Sequence, residues 1–173
     1  MSTIDSPTDH PGLFSFPNPV NDVAARTVAT GVVAVALLFV VTGWGWVLLP
    51  LTYGFIARVL TGPTLSPLGQ LVTRVVTPAL GLPEKLVPGP PKRFAQGIGA
   101  TLSVSAAVLA LGFGAVGAAY VLLGFIVVAA PLESVFGFCL GCTIFAALMR
   151  VGVIPQEVCE RCDDIWGGAA EPA

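Results

Sequence analysis

Ala118-Ala119-Tyr120-Val121-Leu122-Leu123-Gly124-Phe125-Ile126-Val127-Val128-Ala129-Ala130-Pro131-Leu132 carries no charged side chain, and the first charge after it is Glu133. A helical crossing of a bilayer core takes about 20 apolar residues. This stretch, continued to Gly137, has that length. The uncharged run also reaches back to Phe94, long enough for two crossings, and a second run from Thr27 to Ala57 fits a tight pair. Over its 173 residues the chain is 55% hydrophobic and 10% charged, with a mean hydropathy of +0.88. Soluble domains average about 25% charged residues. The sequence therefore predicts an all-α integral membrane protein: a four-helix transmembrane bundle with helices near 23–41, 46–60, 94–111 and 118–137.

Three regions follow from this frame. Residues 1–20 hold Pro7, Pro11, Pro17 and Pro19 among Ser, Thr and Asp, and read as a flexible polar arm without a signal peptide. His10, the sole histidine, lies in this arm with no second ligand nearby, so it reads as a solvated residue. Residues 21–150 form the membrane domain, opened by an N-cap at Asn21 or Asp22. Residues 151–173 form a polar tail. Pro50 and Pro131 are expected to bend the second and fourth helices.

Between residues 62 and 93 seven prolines interrupt the chain. Ser66-Pro67 is a hydroxyl N-cap followed by proline at the first helical position. Leu68, Leu71, Val72, Val75 and Val76 then recur at helical spacing opposite Gln70, Thr73 and Arg74. This predicts a short interfacial helix near 66–79 in a central cytoplasmic loop, lying in the headgroup region or packed back on the bundle. Gly112-Phe113-Gly114-Ala115-Val116-Gly117 fits a dinucleotide fingerprint letter for letter. It has no strand before it and no βαβ unit around it, so it reads as a turn between helices.

All eight basic residues fall on one side of a four-crossing arrangement, together with both termini, while the turns near 43–45 and 112–117 carry none. Basic residues mark the cytoplasmic side. The expectation is a multi-pass protein of the cell membrane with both termini cytoplasmic. A fifth crossing over 135–149 would be short and would export Arg150 or Arg161. Glu133 is an acid inside a hydrophobic run, a costly placement that calls for a partner or a snorkelling route to the interface. Arg58, at similar depth on the second helix, is the expected intramembrane ion-pair partner.

All four cysteines lie in two Cys-x-x-Cys pairs, Cys139/Cys142 and Cys159/Cys162, sixteen residues apart. That spacing fits a four-thiolate zinc site, or less readily an iron–sulfur cluster, with Cys139, Cys142, Cys159 and Cys162 as ligands. It also fits redox dithiols, in which one thiol resolves the mixed disulfide of the other. A cytoplasmic position disfavours permanent structural disulfides. The third reading is buried cysteines serving as small apolar residues.

The asparagine-containing lead into Arg26, Ser66-Pro67 after Arg58, Pro91-Lys92-Arg93-Phe94-Ala95, Glu133 and Gly137-Phe138-Cys139-Leu140-Gly141-Cys142 together resemble a bacterial integral membrane family of unknown function, domain of unknown function 4395. The likeness runs from about residue 18 to 150, with Phe138-Cys139-Leu140-Gly141-Cys142 as its most specific motif and Phe145 as the aromatic three residues beyond. The Gly-Phe-Cys element is also similar to small membrane domains fused to rhodanese-type sulfurtransferases. The resemblance implies a neighbourhood of thioredoxin-like and sulfur-transfer chemistry, with Cys139 and Cys142 as the working pair.

Three functions follow as expectations. The first is a thiol–disulfide or sulfur-relay component served by a cytoplasmic thioredoxin-like or rhodanese-like partner. The second is a membrane protein with a structural zinc site. The third is a scaffold or small-molecule channel. No Ser/His/Asp set, carboxylate dyad or phosphate loop supports hydrolase or kinase chemistry. A net charge of −2, with basic residues already accounted for by topology, gives no support for nucleic-acid binding; lipid is the expected surrounding partner.

Overall fold

The computed structural model describes residues 16–81 and 83–159. A strand β1 (Val20–Asn21) leads into α1 (Asp22–Thr42). A tight turn at Gly45–Val47 opens α2 (Leu48–Thr61). The connecting segment contains α3 (Pro67–Leu71), a wide π turn (Val72–Val76), α4 (Thr77–Leu80) and a strand β2 (Leu86–Val87). Then come α5 (Gly89–Ala107), continued by a π turn to Gly112, α6 (Val116–Phe136) and α7 (Leu140–Arg150).

Three helical stretches are long and apolar enough to cross a membrane: Asp22–Thr42, Gly89–Gly112 and Val116–Phe136. The sequence predicts four. The second one, Gly45–Thr61, is apolar but shorter. At about 1.5 Å of rise per residue it reaches roughly 25 Å, against about 30 Å of hydrocarbon. Pro50 falls in its first turn, where the N–H that proline lacks would have no intrahelical acceptor, so the expected kink has no cause there. Pro131 lies inside α6, which remains helical through it. The 11 residues of α7 are too few for a fifth crossing.

The core lies where α1, α2, α5 and α6 meet. Phe39, Leu48 and Leu123 are fully buried there, and Ala36, Ala106 and Ala119 let the helices approach closely. Outward-facing side chains are large and apolar, including Val121, Phe125 and Val128 on α6. In water this surface would be a severe liability; in lipid it needs no cover. Trp44, Trp46 and Phe113 are exposed at one end, where the two short turns come together and Leu111 would touch a Cβ placed on Gly45.

The segment expected to be helical is helical, as α3, the π turn and α4, and its apolar stripe is divided. Ser66 is the N-cap, accepting from the Gly69 N–H at 3.2 Å, with Pro67 at the first helical position. Leu68 presses on Gly31 of α1 and Val72 is buried in the core, whereas Leu71 and Val75 stay exposed. The segment therefore packs on the bundle along one edge and leaves the other edge outward.

At the charged end, β1 pairs antiparallel with β2, Val20 opposite Val87 and Asn21 opposite Leu86. Asn18 Oδ1 accepts from the Gly89 N–H at 3.1 Å, and the Asp22 N–H donates to Lys85 O at 2.7 Å. The start of α1 and the start of α5 are thereby clasped together.

Candidate functional site

The C-terminus of α6 sets the position of the first cysteine pair. Gly137 adopts a left-handed conformation (φ 70°), which glycine enters without a Cβ clash, and its N–H donates to Glu133 O. The chain then turns through Phe138 into α7, for which Cys139 is the N-cap. Its Sγ accepts from the Cys142 N–H at 3.3 Å. Cys139 and Cys142 are joined as a disulfide, with their Cα atoms 5.2 Å apart. Cys142 is buried and Cys139 half-buried, so Cys139 is the more exposed residue of the pair. A helix N-terminus favours negative charge, which stabilises a thiolate there once the bond opens.

The pair is held close to the bundle. Gly141 sits so near α5 that a Cβ on it would lie 2.5 Å from Ala95 Cβ and 2.6 Å from Ala95 Cα. Phe145, one turn on, stacks at a tilt on Phe94 with ring centroids 5.5 Å apart. Beside Cys139 is a mostly apolar cavity of about 110 Å³, walled by Phe55, Leu102 and Phe125, with Gln96 and Glu133 as its polar members.

Glu133 is paired, but with a different cation from the one the sequence suggests. Lys92 Nζ lies 2.7 Å from Glu133 Oε1 and 2.9 Å from Asp22 Oδ1, and all three side chains are largely buried. Arg58 makes no ion pair among the described residues. Its Nε donates to Gln96 Oε1 at 3.0 Å, its Nη1 donates to Ser66 Oγ at 3.3 Å, and its guanidinium lies 4.7 Å from the centre of the Phe55 ring. The reason is packing: α6 ends against the first turn of α5, which carries Lys92, while Arg58 on α2 faces the Ser66 turn. The signal for Lys92 was masked by its place in Pro90-Pro91-Lys92-Arg93, which reads as a helix stop. Asp22 was masked because it competes with Asn21 as N-cap; Asn21 takes that role, accepting from the Val23 N–H at 3.0 Å.

Arg26 adds a further link to this end. Its guanidinium donates to Ser134 O at 3.2 Å and Val135 O at 2.8 Å, two of the last carbonyls of α6, just ahead of the cysteine turn. A cation at a helix C-terminus is favourably placed.

The tail returns to α7. Cys159 is buried against Phe145 and Met149, the same face of the helix that carries Cys142. Cys162 and His10 lie outside the described residues. Among the described residues, no group of three His, Cys, Asp or Glu side chains is gathered closely enough to hold a metal ion.

A family model described as a domain of unknown function, DUF4395, matches residues 20–150. No curated protein and no solved structure matches the chain.

Proposed function

The chain belongs to the DUF4395 family, and we propose that it is a membrane thiol–disulfide component in which Cys139 and Cys142 exchange two electrons with a cytoplasmic thioredoxin-like or rhodanese-like partner. The observation that carries this reading is the bonded pair at the start of α7, with Cys139 half-buried and Cys142 buried. A partner thiolate attacks Cys139 Sγ, the S–S bond breaks, and its electron pair goes to Cys142 Sγ, which takes up a proton. A second partner thiol then attacks the mixed disulfide, releasing Cys139 as a thiol and leaving the partner oxidised. Two electrons and two protons have moved, and the reverse sequence oxidises the pair again.

The test uses purified protein equilibrated with glutathione and glutathione disulfide, then alkylated and weighed. Cys139 and Cys142 should titrate together as a two-thiol unit. Cys142→Ser should trap a mixed disulfide on Cys139, and Cys139→Ser should trap far less. A pair that stays bonded across the whole range, or two variants that label alike, overturns the proposal. The zinc reading needs Cys139 and Cys142 as thiolates; one equivalent of zinc with all four thiols reduced would put it ahead.

The same reading takes α2 as a fourth crossing, with both termini and the cysteine turn on the cytoplasmic side. Its support is the gathering of Arg26, Arg58, Lys92 and Arg93 at one end, opposite Trp44 and Trp46. Single cysteines placed at Thr42 and Glu84 in a cysteine-free background should label from opposite sides of sealed vesicles. Labelling from the same side rules the arrangement out.

A further inference from the structure

A second cavity, of about 200 Å³, lies between the residues before α1, the first turns of α1, the end of α2 and α3. It contains none of the cysteines. Its walls are largely apolar, with Phe16, Ala25 and Val28 among them, while Arg58, Lys92, Gln96, Asn21 and Thr73 are its charged and polar members. Gln96 also lines the cavity beside Cys139, so the Arg58–Gln96 hydrogen bond stands between the two spaces.

Arg58 is only 5% exposed. Two of its nitrogens are satisfied, by Gln96 and Ser66. The third, Nη2, is fully buried and has no hydrogen-bond partner among the described residues. A guanidinium donor buried without an acceptor is costly, since it has lost water and gained nothing. Lys92 is not in this position, because Asp22 and Glu133 both reach it. Arg26 and Arg93 donate to backbone carbonyls and likewise meet no carboxylate among the described residues. Among the described residues Arg58 is thus the deeply buried cation of this end that no carboxylate reaches.

We propose that this cavity binds a small monocarboxylate with an apolar body, its carboxylate on the Arg58 guanidinium and its body against Phe16, Ala25 and Val28. An Arg guanidinium suits a planar carboxylate, and a charge-assisted bond there gives a counter-charge to a buried cation that has no ion pair among the described residues. A cavity of about 150 Å³ accepts benzene, so the space here takes a ring with its acid group. Phosphate or sulfate fits poorly, because the apolar walls would strand most of their oxygens. The acid can come from solution or from a fatty acid whose head lies at the membrane surface.

The experiment measures binding of benzoate to the full-length protein in nanodiscs by calorimetry, with benzyl alcohol and inorganic phosphate as comparisons. Benzoate should bind with one site per chain, and the other two should not. Arg58→Gln should weaken benzoate about tenfold or more, the range for a hydrogen bond to a charged group. Since that change also disturbs Gln96 and Ser66, Ala25→Leu provides the second arm: it fills the cavity, leaves Arg58 in place, and should abolish binding. Oleate in the nanodisc that displaces benzoate assigns the site to lipid acids, and benzoate binding undisturbed by oleate assigns it to soluble ones. No benzoate binding, equal binding of benzyl alcohol, binding of phosphate alone, or benzoate binding unchanged by Ala25→Leu overturns the proposal.

Discussion

Replacing Lys92 with methionine is expected to lower folding stability by about 3–5 kcal/mol, the cost of removing one partner from a buried ion pair. The expectation is at the upper end because one ammonium holds two carboxylates, Asp22 at 2.9 Å and Glu133 at 2.7 Å. Without it, two like charges face each other from α1 and α6 at low dielectric. The triple change Lys92→Met, Asp22→Asn and Glu133→Gln should recover much of the loss, since no uncompensated charge remains. Arg58→Met should not mimic Lys92→Met in this cycle, because Arg58 shares no bond with either acid. The readout is the unfolding midpoint in detergent. A Lys92→Met protein as stable as the parent, or a triple variant worse than the single one, counts against the triad as the lock of this end.

Gly141→Ala is the second large effect expected, about 1–3 kcal/mol destabilising, the usual range for overpacking. The added methyl meets the Ala95 Cα of α5, a backbone atom that cannot swing aside, so α7 must shift and take Cys139 and Cys142 with it. Gly124→Ala is the matched comparison. A Cβ there meets nothing within 4 Å, and α6 gains helix propensity, so its midpoint should hold or rise. Equal midpoints for the two variants would show that the α5–α7 contact is looser than described.

The parts of this architecture that could be read from sequence are those with a local signal. Uninterrupted apolar runs gave the three long helices, Ser66-Pro67 gave a helix start, and glycine after Phe136 gave a helix stop. The pairing of Cys139 with Cys142 is legible for the same reason, since three residues of spacing at a helix entrance bring two sulfurs together. What could not be read depends on neighbours distant in sequence. Glu133 reads from sequence as the partner of Arg58, and only the approach of α5 to α6 puts Lys92 there instead. The two-residue strands at Val20–Asn21 and Leu86–Val87 are too short to show any alternation. The π turns at Val72–Val76 and Val108–Gly112 carry no residue signature that separates them from ordinary helix.

The clasp at the charged end also dictates an order of events during synthesis. Gly89, which donates to Asn18, is made 71 residues after it. Asp22 therefore stands at the head of the first apolar helix before its cation, Lys92, has been made. Glu133, 41 residues behind Lys92, arrives later still. Until α5 emerges, the first hairpin carries an unmatched acid at its mouth, and until α6 emerges, Lys92 answers only one of its two acids. A chain halted between α2 and α5 would thus hold α1 and α2 with the charged end open, its Asp22 still without the lysine that closes it.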